Sequence, residues 1–332
     1  MMDEEYGLQF LENYSISGAT MVNQSLTNNT LDMLQNKGLQ TVLPFLYLFI
    51  FFVSVPLNVL SLWIISQSHP WTPTIVFFIN LAITDLLYGM TLPFQVTYHL
   101  NGNNWPFGRT FCSITTFLFY GNMNCSVLIM ACISMERYMG IVHPMHSHSL
   151  ISVRKVFLTC FLIWLFVLIV DLPFLYTNLT YRVHELHIVT CFDILPKNMF
   201  PNQLFLCVYF ACHVLVFFFI PFLIMAVCYL SIIVTLLQSH NVQTKMVKKQ
   251  TIRMVIVVLT VFIVCYLPNN VLQIVHFIYR FKNNDTVYVE YKLSLALNSL
   301  NCCLDPVVYY FGSKELRQKV QNRIRYCFCR KK

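Results

Sequence analysis

Long runs of apolar residues, separated by short polar segments, dominate the chain. The first run, LPFLYLFIFFVSVPLNVLSLWII at 43–65, has no charged residue and can cross a bilayer as a helix. Helices are expected because the bilayer interior offers no water to bind backbone groups. The pattern predicts an all-α membrane protein, a seven-transmembrane helix bundle (42–311) with a short amphipathic eighth helix. The predicted spans are 42–67, 73–100, 109–143, 155–176, 203–238, 247–279 and 288–311.

The composition favours the same class. Hydrophobic residues make up 57% and charged residues 11% of the 332 residues, whereas a soluble domain carries about a quarter charged residues. Fifteen of the 22 Lys and Arg residues share the side of the carboxyl-terminal tail. By the positive-inside rule this places the amino terminus outside the cell. Membrane orientation thus accounts for the net charge of +8, and no nucleic-acid partner is expected.

The amino-terminal residues 1–41 are polar and acidic and lack an apolar signal core. They indicate a largely disordered extracellular tail with no cleaved signal peptide. The tail carries three glycosylation sequons, and two more fall in loops that share its side of the membrane. The expected glycosylation sites are Asn13, Asn23, Asn28, Asn178 and Asn284.

The carboxyl-terminal residues 312–332 form a second polar segment. Leu316, Val320 and Ile324 recur every four residues among charges, which is typical of an amphipathic helix on the membrane surface. Cys327 and Cys329 lie beside basic residues. They are candidate palmitoylation sites, with plain free thiols as the alternative.

Of the 13 cysteines, most lie inside the apolar runs, but Cys112 and Cys191 are placed at the outer face. A disulfide between them would tie the third span to the loop before the fifth, in an oxidising compartment. Two free thiols are the alternative.

Asp85 lies in the middle of the second apolar run, in NLAITDLLYGM. A carboxylate in the membrane is costly and marks a candidate functional site. Its expected partners are Ser126 on the third span and Asn301 and Asp305 on the seventh. This oxygen-rich set suits a small hard cation such as sodium, the only bound ion or cofactor expected. A protonated structural aspartate is the alternative.

Glu136, Arg137 and Tyr138 end the third apolar run. Arg137 follows Cys112 by 25 residues, roughly 37 Å of helix and enough to cross a bilayer. One helix therefore joins a cysteine at one membrane face to an arginine at the other, as transmembrane signalling requires. The alternative is a charged pair that only anchors a helix end.

These residues together resemble the rhodopsin-type (class A) G-protein-coupled receptors over nearly the whole chain. The resemblance is specific because the matching positions occur in order, each on its own span. They are Asn58, the NLAITD run with Asp85, Cys112 with Cys191, the ERY triplet, Trp164, Pro221 with Tyr229, Phe262 with the CYLP run, and Asp305 to Tyr309. Asp305 and Tyr266 make the chain similar to the purinoceptor-like branch.

The resemblance implies a multi-pass plasma-membrane receptor, not an enzyme, that activates a heterotrimeric G protein. It also implies that Arg137 is held by Glu136 at rest and, once free, packs near Tyr229 and Tyr309. The residues assigned to coupling and activation are Glu136, Arg137, Tyr138, Tyr229, Phe262, Tyr266, Pro268 and Tyr309.

The ligand is expected to be small, anionic and amphiphilic. Lys292 and Arg280 can hold an acidic head group, and the phenylalanine-rich spans an apolar tail. Nucleotide-binding members of the branch carry a His and a basic residue where this chain has Asn270 and Gln273. This difference disfavours a nucleotide, which is kept as the alternative ligand. The candidate ligand-binding residues are Tyr98, Tyr120, His184, Asn270, Gln273, His276, Arg280, Tyr291 and Lys292.

Two other classes are disfavoured. A transporter or channel would show inverted repeats and a charged conduction path, and the sequence shows neither. A membrane hydrolase would need a metal-ligand motif or a nucleophile elbow, and none is visible.

Overall fold

The structure is a computed structural model that describes residues 28–67, 70–145, 151–193, 203–238, 244–281, 288–312, 317–318 and 321. Almost all of the predicted eighth helix lies outside these residues. So do Cys327, Cys329 and the sequons at Asn13, Asn23 and Asn284.

The described chain is a helical bundle with one β-hairpin. In chain order the elements are α1 (Asn28–Leu34), α2 (Lys37–Ser66), α3 (Pro73–Gly89), α4 (Leu92–Leu100), α5 (Gly108–Val142), α6 (Val153–Tyr176), β1 (Thr180–Val183), β2 (Ile188–Cys191), α7 (Gln203–Val214), a π-helical segment (Leu215–Phe219), α8 (Ile220–Gln238), α9 (Thr244–Val261), a second π-helical segment (Phe262–Tyr266), α10 (Leu267–Phe281), α11 (Tyr288–Asn298) and α12 (Asn301–Gly312). The spans in order are α2, α3–α4, α5, α6, α7–α8, α9–α10 and α11–α12.

Six of the helical segments in the described residues are long and apolar enough to cross a membrane. The seventh span is absent from that set because it consists of two short helices, α11 and α12. At the break, the amide N–H of Leu300 donates to the carbonyl of Leu297 at 3.1 Å, a tighter turn than an α-helix makes. The predicted span at 288–311 is therefore present as two helices.

Pro306 explains a bond that fastens this span to the first. Proline has no N–H, so the carbonyl of Cys302, four residues earlier, loses its helical donor. The Asn58 amide donates to this carbonyl at 2.9 Å and also to the carbonyl of Ser54 at 3.0 Å. The first and seventh spans are thus joined where the proline frees a backbone oxygen.

Both π-helical segments end two residues before a proline, Pro221 in the fifth span and Pro268 in the sixth. An extra residue in the turn before a proline locally widens the helix and relieves the clash of the ring. The backbone of these two spans is therefore adapted to the proline that follows each π-helical segment.

The third span is central and packs against the second, fourth and fifth, while the seventh returns to the first and second. Apolar side chains on the outside of the bundle remain exposed. Phe45, Phe49 and Phe52 on the first span recur at helical spacing and are 68%, 56% and 68% exposed. An uncovered stripe of this kind is what a surface facing lipid requires.

Part of the amino-terminal segment 1–41 is folded, whereas residues 1–27 lie outside the described residues, so the largely disordered tail stays a prediction. Helix α1 ends at Leu34, whose side chain is buried. The carbonyl of Leu34 accepts hydrogen bonds from Gln40 at 2.9 Å and from Asn103 at 2.8 Å. These bonds satisfy the open end of the helix and hold it against the bundle.

Candidate functional site

One end of the bundle, here called the disulfide end, carries the bond between Cys112 and Cys191, whose Cα atoms lie 5.8 Å apart. Cys191 ends the hairpin of β1 and β2, in which Thr180 pairs with Cys191. A backbone bond of 2.7 Å from Trp105 to Val189 fixes the hairpin to the loop before the third span. The predicted tie between the third span and this loop is therefore present.

Three consecutive residues at the end of this hairpin reach three different parts of the bundle. Cys191 bonds the third span, Phe192 packs on Tyr120 and Phe174 at ring distances of 5.5 and 5.6 Å, and Asp193 reaches the second and seventh spans. Phe192 has φ of 62°, a conformation rare for a bulky residue. Surrounding contacts must stabilise this backbone, so the segment is a fixed wall of the site.

Asp193 forms a buried ion pair with Lys292 and accepts a hydrogen bond from the Tyr98 hydroxyl. The side chains of Lys292 and Asp193 are only 12% and 1% exposed. Burial by itself raises the pKa of the Asp193 carboxyl group, but the Lys292 ammonium and the bonds from Lys292 and Tyr98 bring that pKa below its ordinary value. The pair is therefore charged at neutral pH, and Asp193 neutralises the lysine predicted to hold an anion.

Aromatic residues next to this pair form what we call the aromatic cluster, which comprises Tyr120, Phe174, Phe192 and Tyr291. Tyr120 stacks on Phe174 at 4.8 Å, and its hydroxyl lies 3.1 Å from that of Tyr291. The His276 ring stacks on Tyr291 at 5.0 Å. Five predicted ligand residues thus meet in one region, namely Tyr98, Tyr120, His276, Tyr291 and Lys292.

The other predicted ligand residues are placed differently. His184 is exposed in the hairpin turn and makes none of these contacts. Asn270 is buried and donates to the carbonyl of Tyr266 at 2.9 Å, while the buried side-chain oxygen of Gln273 has no hydrogen-bond partner among the described residues. Arg280 lies in α10, with its side chain outside what the structure describes.

The exposed Asn178, before β1, accepts from Thr180, so its sequon is accessible, and its glycosylation stays a prediction.

Asp85 has other direct partners than those expected from the sequence. Its carboxylate accepts from the Asn122 amide at 3.0 Å and lies 3.5 Å from the Tyr309 hydroxyl. Asn301 instead donates to the Tyr266 hydroxyl at 2.8 Å. Asn122 is thus a direct partner of Asp85 that the sequence did not reveal, and the shared cation site with Ser126, Asn301 and Asp305 stays a prediction.

Three buried oxygen atoms of the predicted cation site have no hydrogen-bond partner in the described structure. They are the Ser126 hydroxyl and both carboxylate oxygens of Asp305, and Asp305 lies within electrostatic range of Asp85. Buried oxygens are normally satisfied by protein, water or an ion. The donor set therefore fits a hard cation such as sodium, with Asp85, Ser126 and Asp305 as its holders.

The opposite end of the bundle, here called the arginine end, holds Arg137 in a small network. Arg137 lies 3.6 Å from the Glu136 carboxylate, and its guanidinium donates to the Thr74 hydroxyl at 3.3 Å. Thr74 in turn donates to Glu136 at 2.7 Å. The third span thereby holds the arginine against the start of the second, with Thr74 as a partner that the sequence did not reveal.

The two tyrosines expected to receive Arg137 have other partners in this structure. Tyr229 is 2.7 Å from the Ser134 hydroxyl, and Tyr309 turns towards Asp85 and packs on Phe78 at 4.9 Å. Phe262 stacks on Tyr266 at 5.8 Å within the second π-helical segment, just before Pro268. Tyr138 bonds His143 at 3.1 Å. This arrangement matches the held form of Arg137.

Comparison with known proteins decides the family. Residues 35–309 match the 7 transmembrane receptor (rhodopsin family) description. The chain belongs to this family of receptors. Purinoceptor 8 of the P-two-Y type, from Gallus gallus, is 43% identical over 89% of this chain and 83% of its own length. The human S-geranylgeranyl-glutathione receptor (Homo sapiens) is 38% identical over 92% and 84%, and proteinase-activated receptor 1 of Xenopus laevis is 36% identical over 92% and 71%.

The membership confirms the predicted family, the purinoceptor-like branch and the helical bundle, and makes the protein a multi-pass membrane receptor of the G-protein-coupled class. The sequence did not reveal Asp193, Asn122 and Thr74, nor Asp171, a buried acid of the fourth span. Asp171 had a readable signal, since it is an acidic residue inside an apolar run. Asp193 had none, because a single acid in a loop is ordinary.

Proposed function

We propose that this receptor sits in the plasma membrane with its amino terminus outside, binds an anionic amphiphile at the disulfide end and activates a heterotrimeric G protein at the arginine end. The observation that carries the proposal is the buried Lys292 ammonium next to the aromatic cluster. Burying a charged group is costly, so a lysine ammonium in an apolar surrounding indicates a functional role. A carboxylate head group with an apolar tail matches both features.

The name of the human relative supports this ligand class. S-geranylgeranyl-glutathione, the compound in that name, combines two carboxylates and one ammonium group with a long isoprenoid tail. The neutral Asn270 and Gln273 offer no cation for a string of phosphates. An acidic lipid conjugate therefore suits this chain better than a nucleotide, the alternative that the word purinoceptor suggests.

Ligand binding would act by exchange at Lys292. A ligand carboxylate replaces Asp193 as the partner of the ammonium, so the charge stays paired and the cost of burying it is not added again. The wall segment that carries Phe192 and Asp193 then loses one of its anchors. A ligand that prefers this rearranged form shifts the receptor towards the form that releases Arg137, because binding and output are coupled through one equilibrium.

The experiment is nucleotide exchange on a purified heterotrimeric G protein with the receptor in vesicles. S-geranylgeranyl-glutathione, a lysophospholipid and ATP are compared, and solute flux is followed in the same vesicles. Exchange driven by the acidic conjugate supports the proposal. Exchange driven only by ATP favours the nucleotide alternative, and flux without exchange favours a transporter.

Two substitutions in the ion pair should change ligand potency in opposite directions. Lys292→Met should weaken S-geranylgeranyl-glutathione at least about tenfold with an unchanged maximal response, since losing one partner of a buried charge pair costs about 2–5 kcal/mol. Asp193→Asn should increase potency, because the ligand then meets an unpaired lysine and no competing carboxylate. Concentration–response curves at matched density of folded receptor measure both effects.

The exposed Arg182 on β1 provides the matched control, since Arg182→Met removes a cation from the same end of the bundle. Its potency should equal that of the wild type. Equal losses of potency in Lys292→Met and Asp193→Asn would contradict the replacement of Asp193 by the ligand carboxylate and would indicate a purely structural ion pair.

We also propose that sodium binds between the second, third and seventh spans and favours the resting form. The support is the unsatisfied oxygens of Ser126 and of Asp305, which lies within electrostatic range of Asp85. Asp85→Asn should abolish any sodium dependence of basal nucleotide exchange, because the site loses one of its two charges. Basal exchange is compared in sodium and in N-methylglucamine at equal ionic strength. Sodium dependence that persists in Asp85→Asn would rule out this site.

A further inference from the structure

A second buried acid lies on the fourth span, in what we call the deep polar cluster of Asn124, Asp171 and His213. These residues come from the third, fourth and fifth spans and are 0%, 0% and 5% exposed. The Asn124 amide nitrogen lies 3.1 Å from both carboxylate oxygens of Asp171 and 3.2 Å from Nε2 of His213. Three spans therefore meet at one amide group.

This cluster has more hydrogen-bond acceptors than donor hydrogens to satisfy them. One amide group, with two hydrogens, faces three acceptor atoms. The Asn124 side-chain oxygen and Nδ1 of His213 have no partner in the described structure. The hydrogen bonds to Asp171 within the described residues come from a neutral amide, so its charge has no paired cation there. An ionised carboxylate at this depth needs a cation or a proton.

The position of the cluster indicates where a cation would come from. Asn124 lies one helical turn below Tyr120, and Asp171 one turn below Phe174, counted from the disulfide end. His213 lies one turn below Tyr209 in the same sense. The cluster therefore lies one helical turn deeper in the bundle than the aromatic cluster.

An ammonium group suits a buried carboxylate among apolar residues, because the carboxylate accepts its hydrogen bonds with charge assistance. The unpartnered Asn124 oxygen can accept one more. A neutral donor such as a hydroxyl would leave the charge of Asp171 uncompensated.

We infer that Asp171 and Asn124 form a subsite for a primary ammonium group of the ligand, separate from the Lys292 subsite for its carboxylate. This rests on the proposed function in one respect, namely that the ligand enters through the disulfide end. The receptor would then recognise a zwitterionic head group with opposite charges at two levels of the same site.

The test compares S-geranylgeranyl-glutathione with its N-acetyl analogue, in which a neutral amide replaces the ammonium. Dissociation constants are measured on the full-length receptor in lipid nanodiscs. The wild type should bind the parent about 10- to 100-fold more tightly, the range for a charge-assisted hydrogen bond. In Asp171→Asn, which preserves shape and still accepts from Asn124, the ratio should fall to about one.

Glu290→Gln is the matched control, since it removes an exposed carboxylate from the seventh span at the same end. Its ratio should remain that of the wild type. Any effect of the acetyl bulk would also be present in Asp171→Asn, so a ratio there equal to that of the wild type would overturn the subsite. A wild-type ratio of about one would overturn it as well. Asp171→Ser repeats the test if Asp171→Asn does not fold.

Failure of the proposed ligand class has a different signature, in which neither compound binds the wild type. The subsite is then tested with hexylammonium chloride against hexanol, which share one alkyl tail. The ammonium compound alone should raise the thermal unfolding temperature of the wild type, and this rise should be absent in Asp171→Asn. Equal effects of the two compounds, or an equal rise in the variant, would overturn the inference.

Discussion

Arg137→Ala should abolish ligand-stimulated nucleotide exchange while the receptor still folds and binds ligand. Its removal leaves the Glu136 carboxylate, which is 15% exposed and keeps the hydrogen bond from Thr74, so the receptor should still fold. The output is lost because the arginine is no longer available to the G protein or to Tyr229 and Tyr309. Ligand binding and nucleotide exchange are measured at matched receptor density.

Loosening the network around Arg137 should have the opposite effect. Glu136→Gln removes the charge-assisted hold, and Thr74→Val removes the hydroxyl that bonds both Glu136 and Arg137. A partly exposed pair contributes only ~1 kcal/mol, so basal exchange should rise several-fold rather than completely. The two effects should not add, since both break one shared network.

Arg154→Ala is the matched control, because Arg154 is an exposed cation at the same end of the bundle. It should signal like the wild type. If Arg137→Ala also signals normally, the ERY triplet is only a helix anchor and the proposed output mechanism is wrong.

Lys292→Met should lower the free energy of unfolding by about 3–5 kcal/mol, because it leaves the Asp193 carboxylate buried without a cation. The double variant with Asp193→Asn should recover most of this loss, since no charge then remains unpaired. Thermal unfolding of the two single variants and the double variant gives the coupling. Simple additivity of the two losses would show that the residues act independently.

The same pair predicts a dependence of stability on pH. The pKa of Asp193 is lowered in the folded receptor, so its contribution is complete above the ordinary carboxyl pKa of about 4. It is lost as the pH falls below that value and through the lowered pKa. The drop in unfolding temperature from pH 7 to this acid range should therefore be smaller in the double variant than in the wild type. The exposed Arg182→Met should retain the wild-type acid response.

The spans could be predicted because hydropathy is local along the chain. A run of apolar residues must be helical in lipid whatever its neighbours are, and the observed helices follow the predicted boundaries closely, as in α5 at Gly108–Val142 against 109–143. Asp85 and Arg137 were recognised for the same reason, since a charge in or at the end of an apolar run is conspicuous. The cysteines at one face also required only their position in the chain.

Other features depended on packing and could not be read in this way. The pairing of Lys292 with Asp193 joins a helix to a loop residue with no sequence pattern. Asn122 rather than Ser126 bonds Asp85, which depends on the rotation of the third span about its axis. Thr74 looks like an ordinary residue near a helix start until Arg137 is seen beside it.

The sequence by itself determined that this is a helical membrane receptor, which spans it has, and which charged residues need an explanation. Only the tertiary structure decided which charge neutralises which, leaving Lys292 paired and Asp171 without a paired cation in the described residues. The physical reason is that the cost of burying a charge is set by its own position in the membrane. The group that offsets this cost is set by how distant helices are rotated and packed against one another.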